Sequence, residues 1–153
     1  MKFLELKIPP VLIFAISGSF MWFLSLITNE TGINQKIMLL GSIISLLAGG
    51  YIAVAGIIGF RKAKTTFSPL NPDEASSLVC SGIYRYTRNP MYLGLLFCLF
   101  SWACFLDNFY SLIFVFLYLL YMTQFQIRPE EKTLESIFGK NYGFYKKRVH
   151  RWL

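Results

Sequence analysis

The stretch IMLLGSIISLLAGGYIAVAGIIGF, Ile37 to Phe60, contains no charged residue. At about 1.5 Å per helical residue it is long enough to cross the roughly 30 Å hydrocarbon core of a bilayer, and it therefore decides the fold class. Its small residues are regularly placed, with Ser45, Gly49 and Ala53 at steps of four and Gly56 and Gly59 at steps of three. Such a stripe lets another helix approach closely, which is ordinary membrane packing. Arg61 and Lys62 end the run and suit the headgroup region.

Three further apolar runs follow the same logic: Ile8 to Ile27, Met91 to Leu106, which is short, and Phe109 to Ile127. The 153 residues are 55% hydrophobic and 18% aromatic, with a mean hydropathy of +0.50. The expectation is an all-α integral membrane protein, residues 1–153 forming a single domain of four transmembrane helices plus a cytoplasmic loop and C-terminal amphipathic helices. Lys2 and Lys7 ahead of an apolar stretch, with the small-x-small triplet Ala15-Ile16-Ser17, have the look of a signal peptide. The apolar run continues through Phe20 to Ile27, however, so the segment is expected to remain as an anchor.

The net charge of +7 is unevenly distributed. Placing the N-terminus, the 61–90 loop and the C-terminal tail on one side collects every Lys and Arg there except Lys36. The positive-inside rule then predicts that both termini are cytoplasmic, the membrane being the inner one in a bacterium. Lys146, Lys147, Arg148 and Arg151 are interspersed with Tyr142, Tyr145 and Trp152, which reads as an interfacial segment on anionic membrane lipids rather than a nucleic-acid site. Cys80, Cys98 and Cys104 have no metal-ligand spacing, and His150 is the sole histidine. No metal site and no His-dependent triad is expected.

Two polar motifs border these runs. In GIYRYTRNPMYLG, Gly82 to Gly94, the Asn89-Pro90 pair signals a helix start, with Asn89 as cap and Pro90 at the first helical position. The helix dipole beside Arg88 would make an anion site. In RPEEKTLESIFG, Arg128 to Gly139, Pro129 again opens a helix, Glu130 and Glu131 occupy its first turn, and Gly139 is placed to stop it. Helices three and four are joined only around Asp107 and Asn108, so they are antiparallel and bring both motifs to one face. Between helices two and three lies KTTFSPLNPDEASSLVCS, Lys64 to Ser81. Pro69 and Pro72 interrupt helix there; Phe67, Leu70, Leu78 and Val79 suggest a loop that folds back; Asp73 or Ser76 is a candidate start for a short helical turn.

Arginine, a helix N-terminus, two glutamates and the rings of Tyr84, Tyr86 and Tyr92 together suit a ligand with a carboxylate, an ammonium, a ribose diol and an aromatic base, as S-adenosylmethionine has. The alternative is that the arginines anchor helices and the glutamates satisfy a dipole. The motifs also carry a family resemblance. GIYRYTRNPMYLG resembles the Gly-x-Tyr-Arg-x-x-Arg-His-Pro-x-Tyr-x-Gly signature of isoprenylcysteine carboxyl methyltransferases and their bacterial relatives. RPEEKTLESIFGKNYGFYKKRV is similar to that family's Arg-x-Glu-Glu stretch followed by Phe-Gly-x-x-Tyr-x-x-Tyr, and FRKAKTTFSPLNPDEASSLVCSG to its bacterial loop. The resemblance covers Phe60 to Val149, the part of the chain expected to hold the cofactor motifs (60–149).

The resemblance implies a pocket for S-adenosylmethionine near the cytoplasmic surface. Tyr84, Arg88, Asn89, Pro90 and Tyr92 would form one wall, Glu130 and Glu131 another, and Arg128 would face the reacting group as the catalytic residue. The acceptor implied is a lipid-like or prenylated small substrate. Asn89 stands where the family has histidine, and Asn-Pro-Met-Tyr-x-Gly is similar instead to phospholipid N-methyltransferases. A sulfonium donor needs only alignment and a nucleophilic acceptor, so a carboxylate or thiolate suits a site without histidine, whereas an amine needs a base. A sterol-reductase-type enzyme using NADPH, with Arg85 or Lys64 on its 2'-phosphate, and a non-catalytic membrane scaffold are the other readings.

Overall fold

A computed structural model of the chain describes residues 4–63 and 77–153, and among these it is helical without strands. Lys2, Lys64 and the loop residues Phe67, Pro69, Leu70, Pro72, Asp73 and Ser76 lie outside the described residues. The helices are α1 (Pro10–Ser25), α2 (Gln35–Lys62), α3 (Pro90–Phe105), α4 (Leu112–Tyr121) and α5 (Arg128–Arg148). Asn34 caps α2, its side chain accepting from the Lys36 N–H at 2.9 Å. Two helical runs are long and apolar enough to cross a membrane, α2 and the stretch from Phe109 to Arg148; α1 and α3 are apolar helices of 16 residues each.

The small-residue stripe of α2 receives α3, as its spacing predicts. A Cβ on Gly49 would lie 2.7 Å from the Gly94 carbonyl oxygen, and one on Gly94 2.6 Å from that of Gly49. The two backbones therefore meet where both residues are glycine. Just inside this contact, Ser101 donates to the Ser42 carbonyl at 2.8 Å, removing a polar group from the apolar interface. Helix α1 packs on the opposite side, against α3 and α4. Met21, Tyr92, Leu99, Tyr118 and Met122 fill the interior between them. The outer face of α2 leaves Leu40, Ile44, Leu47, Tyr51 and Val54 exposed, an apolar surface that suits lipid and that water would penalise.

The α3–α4 connection is tight because Asp107 takes a left-handed conformation (φ 47°) and Asn108 caps the next turn through the Ser111 N–H at 3.0 Å. Its Nδ2 also donates to Thr28 Oγ1 at 2.6 Å, tying this turn to the α1–α2 connection. At the other end of the bundle, a π-helical segment over Met122–Ile127 joins α4 to α5 without a break. Pro129 has no N–H to offer the carbonyl four residues back, at Phe125. The Leu6 N–H takes that place at 3.1 Å, so the N-terminal segment satisfies the group that proline strands. Gly139, at φ 49° and ψ −124°, interrupts α5 as expected, and the helix resumes beyond it in a new direction. That second part packs Tyr142, Tyr145 and Val149 against Val79 and Tyr84, so the end of the α2–α3 loop does fold back.

Replacing Gly94 with Val forces backbone apart from backbone at the α2–α3 contact. Overpacking of this kind costs about 1–3 kcal/mol, so the melting temperature of the purified protein in detergent should fall. Gly50→Ala, where an added Cβ meets nothing within 4 Å, should leave it unchanged or slightly raised.

Candidate active site

The polar end of the bundle encloses a cavity where the two sequence motifs meet. Tyr84, Arg88, Asn89, Pro90, Tyr92, Glu130 and Glu131, the residues expected to hold a cofactor, all line it, together with Phe60, Leu134, Tyr142 and Tyr145. Pro90 occupies the first turn of α3, where proline's missing N–H costs nothing. Tyr92, two residues on in the same turn, donates to the carboxylate of Glu130, which also accepts from Gln126 Nε2 at 2.6 Å. Phe60 and Tyr84 meet edge to face, with ring centroids 5.4 Å apart.

Glu131, buried beside Glu130, is held by two arginines. Arg88 Nη1 lies 3.0 Å from its Oε1, and Arg151 grips both oxygens, Nε to Oε1 at 2.9 Å and Nη2 to Oε2 at 2.7 Å. Arg88 also donates to the Tyr142 hydroxyl at 3.4 Å, and its Nε is a buried donor without a partner. Removing one member of such a cluster leaves a buried charge uncompensated, at a cost of about 3–5 kcal/mol.

Two sequence expectations change. Asn89 does not cap α3 with its side chain; its Nδ2 donates instead to the Arg151 carbonyl at 2.9 Å, and its own N–H donates to Thr87 Oγ1 at 3.2 Å. The non-local carbonyl wins the amide that the local rule assigns to a cap. The basic tail, read as a lipid-facing segment, contributes Arg151 to the cavity's ion cluster. Arg128 is exposed and outside the cavity walls, where its guanidinium donates to Gln124, four residues back on the same helical run. Tyr86 and Arg85 are likewise exposed.

Burial raises the Glu130 carboxyl to about 7, against the opposing pull of the Tyr92 and Gln126 hydrogen bonds and with a further push from Glu131. Burial, with the neighbouring Glu131, pushes the Tyr142 phenol up to about 12, and burial also holds Tyr84 and Tyr145 protonated well above the ordinary tyrosine range. The hydrogen bonds that Arg151 donates to Glu131 raise the arginine further. The cavity thus offers the Arg88 guanidinium, backed by Arg151, the Glu131 carboxylate that both hold, one carboxyl able to gain or lose a proton near neutrality, and the phenols of Tyr84, Tyr92, Tyr142 and Tyr145. Among the described residues no group of three His, Cys, Asp or Glu is placed to hold a metal ion.

This donor set suits a zwitterionic nucleoside: the unpartnered Arg88 donor for a carboxylate, the glutamates for hydroxyls or an ammonium, the rings for a base. The free space is about 90 Å³, below the roughly 300–1,000 Å³ of small-molecule sites, so a ligand of that size must displace wall groups on entry.

A family model described as phospholipid methyltransferase matches residues 37–141. The chain belongs to the phospholipid methyltransferase family. It is a membrane methyltransferase, and the readings as a reductase or a non-catalytic scaffold fall away. Within this family's reach, an uncharacterised protein of Haemophilus influenzae is 46% identical over 63 residues, which are 41% of this chain and 100% of that one. The protein-S-isoprenylcysteine O-methyltransferase of Schizosaccharomyces pombe is 38% identical over 72 residues, 47% of this chain but 30% of the yeast enzyme. The chain thus matches less than a third of that enzyme's length. No solved structure matches. Methyltransferases of these families use S-adenosylmethionine, consistent with the resemblance drawn from the two motifs.

Sequence reasoning missed Arg151, Gln126 and Thr87. It reads Tyr142 and Tyr145 as aromatics of an interfacial tail and as part of the second motif, and their spacing after Gly139 is the signal that they return toward the first motif. The acid–base state of Glu130 gives a test by stability. A carboxyl raised above its unfolded value binds its proton more tightly when folded, so folding is unpenalised below about pH 4 and loses stability as pH rises through 7. Stability measured by thermal melting should therefore decline from pH 5 to 8, and Glu130→Gln should flatten that slope.

Proposed function

We propose that this methyltransferase binds S-adenosylmethionine in the cavity between the start of α3 and the start of α5 and transfers its methyl group to a lipid-like acceptor. The observation that carries the reading is the meeting of the two motifs: Tyr92 on Glu130 and Arg88 on Glu131, residues some 40 positions apart in sequence, share one enclosed wall. Arg88 receives the cofactor carboxylate, Glu130 and Glu131 the ribose hydroxyls or ammonium, and the tyrosines the base. The bound sulfonium supplies an activated methyl group. The chain's own part is to exclude water, align the acceptor, and keep it nucleophilic.

The four membrane spans are then α1, α2, α3 and the apolar run Phe109 to Ile127, with both termini and the cavity at the cytoplasmic face. An acceptor with an apolar tail reaches the cavity from the bilayer. A carboxylate acceptor of the isoprenylcysteine type needs no proton removed. Arg128, exposed beside the site, is then available to meet the acceptor's anionic head. One observation favours a second reading, an amine headgroup: Glu130, buried and near neutral in its proton affinity, is suited to take a proton from an ammonium.

Membranes carrying the protein, incubated with methyl-labelled cofactor, should yield labelled lipid-soluble product absent from membranes carrying Arg88→Ala protein. Base-labile label identifies a methyl ester; label retained in a phospholipid headgroup identifies the amine. Labelling equal in the two membranes would overturn the proposed site.

A further inference from the structure

The tail after α5 packs behind the cavity wall, against residues that line it. Val149 is buried among Tyr84, Tyr142 and Tyr145. The next three residues then form a strap between two helical segments. The Arg88 N–H donates to the His150 carbonyl at 3.1 Å, and the Arg151 carbonyl accepts from Asn89 Nδ2 at 2.9 Å and from Thr87 Oγ1 at 3.4 Å. On the far side, Trp152 Nε1 donates to Thr123 Oγ1 at 3.1 Å, inside the π-helical segment. The contacts with Thr87, Arg88 and Asn89 hold the Arg151 backbone against the start of α3, so its side chain meets Glu131 from a fixed origin.

The chemistry of that contact is specific. A glutamate's terminal torsion is broad, so a carboxylate held at one oxygen, as Arg88 holds Glu131, is free to rotate. A two-pronged guanidinium contact fixes the carboxylate plane and adds charge-assisted hydrogen bonds. Arg88 shares Oε1 with Arg151, and its orientation follows from where that oxygen is held.

We propose that Arg151 is a positioning residue of the cofactor site: its fork on Glu131 sets the carboxylate and, through it, the Arg88 guanidinium, while Asn89 and Thr87 serve by holding the Arg151 carbonyl. The inference rests on the cavity being the cofactor site. It gives Asn89 a part different from the one its motif implies, since one amide donor is committed to the strap rather than to a ligand. It also makes the four cations of the tail unequal: Lys147 and Arg148 are exposed, Lys146 pairs with Glu135 at 3.2 Å, and Arg151 belongs to the site.

Calorimetric titration of S-adenosylhomocysteine into the purified full chain, with thermal melting as the control for folding, tests this. Arg151→Ala should raise the dissociation constant about tenfold, equivalent to about 1.4 kcal/mol. Arg151→Lys, which keeps the charge but not the fork, should fall between the two. Trp152→Phe loosens the strap at Thr123 without touching Glu131 and should bind within twofold of the unaltered protein. Unchanged affinity in Arg151→Ala would overturn the inference, as would an equal loss in Trp152→Phe. Should Arg151→Ala fail to fold, Arg151→Lys decides: weakened binding supports the inference and unchanged binding overturns it. An unaltered protein that does not bind the ligand would overturn the cofactor reading itself, a result distinct from binding that is indifferent to Arg151.

Discussion

One carboxylate joins three distant parts of this chain. Glu131 follows the fourth apolar helix, Arg88 precedes the third, and Arg151 lies in the tail after α5. Glu131 and Arg88, both largely removed from water, are tolerable only as a paired set, and the partly exposed Arg151 completes it, so the cluster constrains everything around it. Helix α3 must start where Arg88 can reach, α5 must start at the same level, and the tail must return. The glycine contact between α2 and α3 and the short turn at Asp107 and Asn108 set those levels from the other end of the bundle.

The local backbone serves the same end. Pro90 and Pro129 each sit in the first turn of a helix that presents cavity residues, and at Pro90 the missing N–H is one the helix start can spare. Pro129 lies within a continuous helical run, and the π-helical segment before it, with Leu6 on the stranded Phe125 carbonyl, absorbs the mismatch. Wide turns of this kind are frequent at functional sites. Here the wide turn precedes Glu130 and Glu131 and carries Gln126, which holds Glu130.

Much of this was legible in the sequence because it follows from local rules. An uncharged run of membrane length, prolines ahead of apolar or acidic first turns, and a glycine after Phe138 each specify backbone without help from the rest of the chain. The two motifs could be placed on one face because the turn between their helices is too short for any other arrangement. What escaped depends on partners distant in sequence. Asn89 looks like a cap until the Arg151 carbonyl competes for its amide. Four tail cations among aromatics look alike until Gly139 and Val149 turn one of them inward.

The central claim is that the two motifs form one ligand site, and binding to single variants from each motif tests it most directly. Titrating S-adenosylhomocysteine into unaltered, Arg88→Ala and Glu130→Gln proteins of equal helical content should show one-to-one micromolar binding in the first. In both variants it should be lost or strongly weakened. Unaltered protein that does not bind, or a variant of either motif that binds as well as the unaltered chain, would contradict the account.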